Sequence, residues 1–312
     1  MGHNPFCGRT TGTYMLEGQY IGVVIPARNE ENHIQRVLET LPEFIDMAVV
    51  VDDGSTDTTN QRANSIPTSF EKIILQTDGI GVGGAIDLGH QYLLKNLEHP
   101  FISVVMAGDG QMDPQNLEAI LQPILTEEAD FVKGNRMLND ADIKQMPKTR
   151  QRASKILGWL TTLASGKKVT DPQCGYTASS STLLQQWNWN NSWKGYGYPN
   201  YWLIHLSSQG WNVQDVPVRA VYGNEISGIK PKRFFFNVGL MMTKEHHSRC
   251  FHHLKRSPLM WLALTAYLLG YASIFWGLSK PLMLLPLPFF WWLAHRVDRL
   301  AMHRYDGGRT KI

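Results

Sequence analysis

Residues 101–114, FISVVMAGDGQMDP, decide the fold of this 312-residue chain. The apolar run 101–106 has the length and composition of a buried strand in a parallel sheet. A Gly-Asp-Gly turn ends the run, and Pro114 stands where a helical pattern begins, a position that proline tolerates. The turn therefore lies at the carboxyl end of a strand, where open α/β sheets bind ligands. Asp109 and Gln111 offer oxygen ligands there that suit Mg²⁺ or Mn²⁺, although an ordinary acidic turn would show the same pattern.

Apolar runs and helical patterns alternate along residues 20–135, on both sides of this segment. Besides 101–106, the apolar runs lie at 20–26, 47–51, 72–76 and 129–133. The stretches between them carry helical spacing, as in Ile34, Val37, Leu38 and Leu41. We therefore predict a doubly wound α/β domain, with a further strand at 211–218.

Two acidic residues, Asp52 and Asp53, directly follow one of the predicted strands. A carboxylate pair at a strand end, followed by a glycine and a serine, suits ribose hydroxyls and a base edge. Helix capping by Ser55 or Asp57 is an alternative, but it explains one residue and not the acidic pair. The glycine-rich run 79–85 predicts a close backbone wall against a nucleotide. It follows the third strand and not the first, so it is weak evidence for a dinucleotide.

The composition excludes several classes of protein. With 43% hydrophobic and 18% charged residues, the chain is globular. Its net charge of +3 gives no reason to expect a nucleic-acid partner. The three cysteines, Cys7, Cys174 and Cys250, have no metal-site or disulfide spacing and favour a reducing compartment. Residues 1–19 are polar, carry no secretory signal pattern and are interpreted as a flexible tail.

The C-terminal part of the chain has the features of a membrane attachment. Residues 233–254 combine aromatic and methionine side chains with Lys, Arg and His, which is typical of an interfacial helix. Residues 258–278 are uncharged and long enough to span a bilayer, and 281–294 form a shorter, proline-broken segment that spans or re-enters. Basic residues flank the two segments, which predicts a hairpin with both ends cytoplasmic. A buried core hairpin is the alternative, which the tryptophans near the segment ends disfavour.

Five short motifs occur in a fixed order: IPARNEE (25–31), VVVDDGSTD (49–57), GDGQMDP (108–114), KGNR (133–136) and DPQCGY (171–176). This set resembles the family 2 glycosyltransferases with a GT-A fold, and most of all the dolichyl- or polyprenyl-phosphate sugar synthases. The resemblance covers residues 20–230 and implies a Rossmann-like, doubly wound α/β fold. It also implies a nucleotide-sugar donor, a divalent cation (Mg²⁺ or Mn²⁺) and an inverting displacement.

On the donor side, the resemblance assigns nucleotide contacts to strand ends and to the loops that follow them. The residues are Pro26, Ala27, Arg28, Glu30, Asp52, Asp53, Gly79, Gly108, Asp109 and Lys230. Asp109 matches the last carboxylate of the family's metal-binding D-x-D motif, and Gln111 matches the amide that follows it. The first carboxylate of that motif falls on Ala107, so Asp109 and Gln111 are the expected metal ligands. Residues 222–230 resemble a loop that closes over the donor diphosphate.

On the acceptor side, the resemblance places an arginine and a serine four residues later on a lipid phosphate. Arg150 and Ser154 have this spacing, and we expect Arg136 to join them. A solvated surface helix is the alternative for this basic stretch. The motif DPQCGY supplies the acceptor-loop residues Asp171, Gln173 and Gly175. Many relatives carry an acidic residue where this chain has Asn200, and its loss favours a phosphate acceptor, which is already anionic at neutral pH.

These features predict a membrane enzyme with a cytoplasmic catalytic domain. We expect an inverting transferase that moves a hexose from a GDP-mannose- or UDP-glucose-type donor to polyprenyl or dolichyl phosphate. Asp109, Arg136 and Arg150 are its candidate catalytic residues. A transferase acting on a glycan or glycolipid hydroxyl and a non-catalytic nucleotide-sugar-binding protein are the alternatives. The predicted parts are a tail (1–19), the GT-A domain (20–230), an interfacial helix (231–256), a two-span hairpin (257–295) and a basic tail (296–312).

Overall fold

The computed structural model of the chain describes residues 9–10, 13–14, 16–139, 143–144, 146–219, 221, 231–255 and 257–306. Its strands are β1 (Arg9–Thr10), β2 (Thr13–Tyr14), β3 (Tyr20–Ala27), β4 (Met47–Asp52), β5 (Glu71–Gln76), β6 (Phe101–Val105), β7 (Phe131–Asn135), β8 (Thr177–Ser180) and β9 (Val213–Pro217). Its α-helices are α1 (Ile34–Glu39), α2 (Thr59–Ser65), α3 (Val82–Asn96), α4 (Leu117–Leu125), α5 (Lys148–Ser165), α6 (Ser181–Gln186), α7 (Tyr198–Gln209), α8 (Pro231–His253), α9 (Pro258–Gly277) and α10 (Leu287–Asp306). Short 3₁₀ turns lie at Pro114–Asn116, Trp189–Asn191 and Pro281–Leu284.

Strands β3 to β9 form one mixed sheet in the order β5-β4-β3-β6-β8-β7-β9. The neighbours β5, β4, β3 and β6 run parallel to one another, and β9 runs parallel to β7. Strand β8 lies between β6 and β7 and is antiparallel to both. Six strands therefore point one way, and β8 alone among the strands of this sheet points the other way. Strands β1 and β2 form a separate two-stranded ribbon.

The predicted α/β class is confirmed, and each predicted strand is present within two residues of its predicted ends. Strand β8 was not predicted from the sequence. Its residues, Thr-Ala-Ser-Ser, form no apolar run, yet Thr177, Ala178 and Ser179 are all buried. Hydrogen bonding to a strand on each side, and not hydrophobicity, makes this segment a strand. The sheet is therefore mixed and not wholly parallel.

The sheet is covered on both faces. Successive side chains of its central strands point to opposite faces, so apolar side chains on each face need a cover. On β3, Ile21, Val23 and Ile25 belong to one apolar cluster, while Val24 belongs to the other. The first cluster takes in apolar side chains of α1 and α4, and the second takes in those of α3, α5, α7 and α8. The strands are thus buried on both sides, and ligands can reach the sheet only at its edges and strand ends.

The C-terminal helices agree with only part of the prediction. Helix α8 lies within the predicted interfacial segment. Among the described residues, one helix, α9, is long and apolar enough to cross a membrane, with a mean hydropathy of 1.5. The predicted second segment, 281–294, is divided between a 3₁₀ turn and the first part of α10. Helix α10 then continues through Arg296, Asp298 and Arg299, so the two-span prediction is not confirmed.

A buried ion pair fastens the C-terminal helices to the rest of the protein. Arg249 on α8 donates two hydrogen bonds, of 2.9 and 2.7 Å, to the carboxylate of Asp298 on α10. Its Nε atom donates to the carbonyl oxygen of Ala164 on α5 at 2.8 Å. Both charged side chains are almost wholly buried. Three helices therefore meet at one guanidinium group, which we call the Arg249 clamp.

Two helical glycines should respond in opposite ways to alanine. A Cβ atom on Gly89 in α3 would lie 2.3 Å from a methyl group of Val24, whereas one on Gly239 in α8 would meet nothing within 4 Å. We expect Gly89→Ala to destabilise the protein, because overpacking costs about 1–3 kcal/mol. Gly239→Ala should stabilise it by up to about 1 kcal/mol, the helix-propensity difference between the two residues. Urea unfolding of the full chain in detergent would measure both, and equal effects would contradict this packing of α3 on β3.

Candidate active site

The predicted motif loops converge on one edge of the sheet. The backbone N–H of Asp53 donates to the carbonyl of Ala27 at 2.8 Å, and that of Gly108 donates to the carbonyl of Pro26 at 3.0 Å. The loops that follow β3, β4 and β6 therefore start side by side. Because β8 runs the opposite way, the loop that leads into it, 171–176, lies at this same edge. Donor-side and acceptor-side motifs thus share one crevice at the strand ends.

Two carboxylates, those of Glu30 and Asp109, repel each other on the donor side of this crevice. Burial raises the pKa of Glu30, and the negative charge of Asp109 raises it further, while the hydrogen-bonded ring of His33, 2.9 Å away, opposes the shift. Asp109 accepts a 3.0 Å hydrogen bond from the backbone N–H of Gln111, which holds the turn tightly closed. Mutual repulsion between carboxylates is relieved by a cation, and oxygen ligands suit Mg²⁺ or Mn²⁺. The residues present therefore fit a divalent cation.

Gly108 lets this turn lie directly against the first nucleotide loop. A Cβ atom at position 108 would lie 2.9 Å from the Cβ of Ala27. The adjacent Ala107 is half-buried, and its backbone N–H points to the sulfur of Met112 at 3.2 Å. The family's first metal-binding carboxylate is replaced here by a methyl group. Among the residues of the turn assigned as ligands, Asp109 and Gln111 remain.

The acidic pair at the end of β4 divides into two roles. The carboxylate of Asp53 accepts hydrogen bonds from the hydroxyl of Thr77 and from the backbone N–H groups of Ile80 and Gly81, at 2.8, 2.6 and 2.9 Å. Asp53 therefore holds the glycine-rich loop in place. One carboxylate oxygen of Asp52 accepts the backbone N–H of Ser55 at 3.0 Å. Ser55 does not cap α2; its hydroxyl accepts the backbone N–H of Asn29 instead.

The glycine-rich loop forms a wall whose N–H groups are largely used inside the protein. The backbone N–H groups of Gly83 and Gly84 donate to the carbonyl of Lys194 at 2.8 and 3.1 Å. This contact closes the first turn of α3. The loop can therefore pack against a ligand, but these N–H groups are not available to donate hydrogen bonds to it. A Cβ atom on Gly79 would lie 3.6 Å from a terminal nitrogen of Arg28. Arg28 and Gly79, both predicted donor contacts, therefore lie together.

The acceptor-side loop is held by cationic side chains from β7. Arg136 donates two hydrogen bonds, of 2.8 and 2.7 Å, to the carboxylate of Asp171. The buried ammonium of Lys133 donates to the carbonyls of Thr170 and Asp171 and pairs with Asp215 at 3.1 Å. Arg136 was predicted to contact the acceptor phosphate, and in this structure it supports the loop through Asp171. These contacts stabilise Asp171 in a left-handed backbone conformation, with φ of 46°.

The acceptor loop also packs on the turn that carries Asp109 and Gln111, which we call the metal turn. The hydroxyl of Tyr198 donates to the carbonyl of Gly175 at 3.2 Å, and a Cβ atom on Gly175 would lie 3.3 Å from the terminal methyl of Met112. Burial raises the pKa of Tyr198, and the charge of Asp109 is among the groups that raise it further. The acceptor loop at Gly175 therefore lies beside the turn that carries Asp109 and Gln111.

Asn200, near which the resemblance leads us to expect an acidic residue, is fully buried in a polar network. Its carboxamide oxygen accepts a hydrogen bond from Gln173, and its nitrogen donates to the hydroxyl of Thr161 on α5 at 2.7 Å. The side chain of Met242 on α8 completes the contact. Gln173, predicted as an acceptor-loop contact, thus links the loop to two helices. Asn200 ties the crevice to α5.

Helix α5 carries the predicted phosphate-binding pair on its first turns. Arg150 is half-buried, and Ser154, one turn later on the same face, is buried. Arg152 and Lys155 on this helix are exposed, as the surface-helix alternative expects. The predicted donor contact Lys230, with its loop 222–230, lies outside the described residues. The chain approaching that loop passes the metal turn, since Val221 donates its N–H to the carbonyl of Gln111 at 3.1 Å.

A second group of ligand-type side chains lies in the C-terminal helices. One ligand atom each from His246, Cys250 and Asp298 lie within 4.8 Å of one another. The Asp298 carboxylate is already bound by Arg249, whose positive charge opposes a metal cation. Burial raises the pKa of the Cys250 thiol to about 12, so it stays protonated at neutral pH. These side chains form part of the Arg249 clamp and do not make a metal centre.

Comparison with known proteins identifies the family. Residues 22–186, more than half of the chain, match the family described as Glycosyl transferase family 2, and the chain belongs to that family. It is 31% identical over 223 residues to a UDP-N-acetylglucosamine–dolichyl-phosphate N-acetylglucosaminyltransferase of Methanococcus voltae, covering 66% of this chain and 88% of that protein. A dolichyl-phosphate beta-glucosyltransferase of Trichomonas vaginalis is 24% identical, with 68% of each chain covered.

The solved structures agree on the fold. The chain resembles glucosyl-3-phosphoglycerate synthase from Mycobacterium tuberculosis in complex with Mn²⁺, UDP and phosphoglyceric acid, with a TM-score of 0.53 and 22% identity. The match covers 75% of this chain and 79% of that one. A similar match exists to the same synthase with Mg²⁺ and UDP, with a TM-score of 0.50. These likenesses establish the GT-A fold of this chain.

The ion pair of Arg136 and Asp171 should make stability depend on pH. Although burial alone raises the pKa of Asp171, Arg136 outweighs it, and the net shift is downward. A depressed pKa contributes stability that is present above the unfolded value of about 3.9 and is lost as the pH falls through the folded value. Asp171→Asn keeps a side chain that tolerates positive φ but removes the charge. We expect it to cost about 3–5 kcal/mol at neutral pH, because it leaves Arg136 unpaired.

Urea unfolding at neutral and acidic pH would measure this cost, with Glu39→Gln on the surface of α1 as the control. The difference between wild type and Asp171→Asn should shrink as the wild-type carboxylate becomes protonated. A difference that is the same at every pH would contradict the ion-pair interpretation.

Proposed function

We propose that this family 2 glycosyltransferase moves a hexose or hexose derivative from a nucleotide-sugar to the phosphate of a polyprenyl or dolichyl lipid at a membrane surface. The relatives named for dolichyl phosphate support the acceptor. The UDP named for one relative and for the similar structures favours a UDP-sugar over a GDP-sugar.

The position of α5 is the observation that carries the proposal. Through Thr161 this helix holds Asn200 and hence the acceptor loop of the crevice. Through the carbonyl of Ala164 it holds Arg249 and hence the apolar C-terminal helices. The helix that bears Arg150 and Ser154 is therefore fixed both to the crevice and to the apolar end of the protein. A lipid phosphate needs its head and its tail bound at such a junction.

In the proposed reaction, a phosphate oxygen of the lipid attacks the anomeric carbon as the bond from that carbon to the nucleotide diphosphate breaks. The configuration inverts, and the diphosphate leaves with the bonding electrons. Arg150 and Ser154 orient the attacking phosphate, and the fork of an arginine matches its oxygens. A divalent cation held by Asp109 and Gln111 would neutralise charge on the leaving diphosphate.

The surroundings of Asn200 favour a phosphate acceptor over a hydroxyl. A hydroxyl must lose a proton as it attacks, whereas a phosphate monoester has a second pKa of about 6 and is already anionic. At position 200 the chain has a neutral amide that is buried and engaged by Gln173 and Thr161. That amide cannot act as a general base, and its oxygen and nitrogen are both hydrogen-bonded within the protein. A phosphate nucleophile makes a base at this position unnecessary.

The cation-binding role of Asp109 can be tested against a neighbouring aspartate. Asp113 accepts the backbone N–H of Gln115 at 3.0 Å in a helix-capping contact that asparagine can also make. We expect Asp109→Asn to lower transfer roughly 100-fold or more, as loss of a group that stabilises developing charge does. Asp113→Asn should leave transfer within about twofold of wild type, because a surface change of this kind costs little.

The measurement is transfer of radioactive sugar from UDP- and GDP-sugars into organic-extractable lipid with Mn²⁺. Thermal shift with donor and Mn²⁺ should show binding to wild type and to Asp113→Asn and little to Asp109→Asn. Equal transfer by the two variants would overturn the assignment. Failure of wild type to form any glycolipid from either donor would overturn the proposed function.

The acceptor role of Arg150 can be tested against Arg152, an exposed arginine two residues away on the same helix. A hydrogen bond to a charged group contributes about 1.5–3 kcal/mol, so Arg150→Ala should raise the KM for lipid phosphate roughly 10-fold or more. The KM for the donor should not change. Arg152→Ala should change neither constant. A rise in donor KM alone, or equal effects of the two substitutions, would argue against the phosphate site.

A non-catalytic nucleotide-sugar-binding protein is the second candidate, and Ala107 is the observation that favours it. Calorimetry showing donor binding without product, over varied metals and acceptors, would support it. If a product forms, its lability to mild acid separates a glycosyl phosphate from a glycoside made at a hydroxyl.

A further inference from the structure

The hairpin of α9 and α10 exposes its largest apolar side chains at its tip. Leu278, Leu282 and Leu285 are 84%, 78% and 75% exposed. Exposed aromatic side chains surround them on both helices: Phe275, Trp276, Phe289, Trp291 and Trp292. A tip that projected into water beyond a bilayer would be expected to be polar. This tip is apolar except for Ser279 and Lys280.

The register of the hairpin shows how deep its apolar part reaches. A Cβ atom on Gly270 would lie 2.4 Å from Trp291, and one on Gly277 would lie 2.4 Å from Leu284. The two arms of the hairpin are therefore antiparallel, and each residue along α9 is matched by one residue of the returning arm. If this one-for-one pairing continues along the two helices, Asp298 on α10 lies beside the second turn of α9. On α9, the helix from Ala263, the residue that this register places beside Asp298, to Gly277, which lies beside Leu284, is about 21 Å long at about 1.5 Å per residue.

The Arg249 clamp fixes the level at which this length begins. Asp298 is fully buried and bound by Arg249, which also binds the carbonyl of Ala164 on α5. Helix α5 belongs to the body that forms the crevice, so the level of Asp298 lies outside the hydrocarbon. Arg296 is exposed and Arg299 is half-buried near this level, where headgroups can neutralise their charge. Trp261, 63% exposed, lies there too, as tryptophans do at a membrane interface.

The hairpin is therefore too short to cross. A hydrocarbon core is about 30 Å thick, so one leaflet contributes about 15 Å. Helix α9 is long enough to span a bilayer. Its first turns lie beside the charged part of α10, however, so they do not add to the depth that the hairpin reaches. Lys280 at the tip opposes insertion, because a charged side chain is costly to place in hydrocarbon. Burial of the three exposed tip leucines favours insertion, and together they outweigh the single lysine.

We infer that residues 258–306 form a hairpin that enters only the bilayer leaflet facing the catalytic domain and returns without crossing. The occupant of its exposed apolar surface is the acyl-chain region of that leaflet. Both ends of the hairpin and the crevice then lie on one side of the membrane. This topology does not depend on which sugar or acceptor the enzyme uses.

Single cysteines placed at the tip and at the surface test this topology. In the full chain carrying Cys7→Ser, where Cys174 and Cys250 are buried, Ser279→Cys marks the tip and Lys255→Cys marks the surface before α9. The proteins are reconstituted into sealed vesicles of phosphatidylcholine and phosphatidylglycerol, with the catalytic domain outside. An impermeant maleimide is added outside or trapped inside, and a permeant maleimide is used in parallel.

We expect the impermeant reagent added outside to label Lys255→Cys. It should label Ser279→Cys from neither side, while the permeant reagent labels both variants once they are denatured in SDS. Labelling of Ser279→Cys by the trapped reagent would show a two-span hairpin and overturn the inference. Circular dichroism and unfolding temperature, compared with wild type, show that each variant is folded.

Depth quenching separates a lipid leaflet from a second copy of the chain as the occupant. A bimane on Ser279→Cys should be quenched most by lipids brominated deep in their acyl chains. Absence of quenching, together with cross-linking of two chains at position 279, would show that a second copy covers the tip and would overturn the inference.

Discussion

A lysine whose ammonium is buried under the sheet edge holds the acceptor half of the crevice. Lys133 pairs with Asp215 on the neighbouring strand and donates to the carbonyls of Thr170 and Asp171. Removing either charge of a buried pair leaves the other uncompensated, which costs several kcal/mol. The loop that carries Gln173 and Gly175 starts from these contacts. Its position, and with it the shape of the crevice, depends on this buried charge.

From that loop a continuous series of polar contacts leads to the far end of the protein. Gln173 binds Asn200, Asn200 binds Thr161 on α5, and three residues further along that helix Ala164 accepts from Arg249. Arg249 then binds Asp298 on the last helix. Each step joins groups that are buried or half-buried, where hydrogen bonds are strong and their geometry is well fixed. The crevice and the apolar hairpin therefore behave as parts of one body.

The sequence predicted what local patterns determine and missed what distant partners determine. The strands and the loops after them follow from apolar runs and from motif residues such as Asp109, so their meeting at one edge was predictable. Strand β8 was missed because its four small or polar residues become a strand only between β6 and β7. Asp53 stays a predicted donor contact, and its role in holding the glycine-rich loop was missed because its partners lie more than twenty residues away.

Charged side chains were the hardest to interpret. Arg136 is predicted from its motif to bind a phosphate, and its ion pair with Asp171, 35 residues later, adds a loop-holding role that the motif does not reveal. The second membrane segment was predicted from residues 281–294 alone. What limits it is Asp298, whose burial beside Arg249 no periodicity or composition reveals.

Because β8 is antiparallel to its neighbours, the two halves of the crevice come from different parts of the sequence. Among the described residues, the donor-side loops leave parallel strands and occur before residue 114, whereas the acceptor-side loop enters a strand and occurs after residue 170. Mutation or recombination downstream can therefore replace the second substrate while the first half is inherited unchanged.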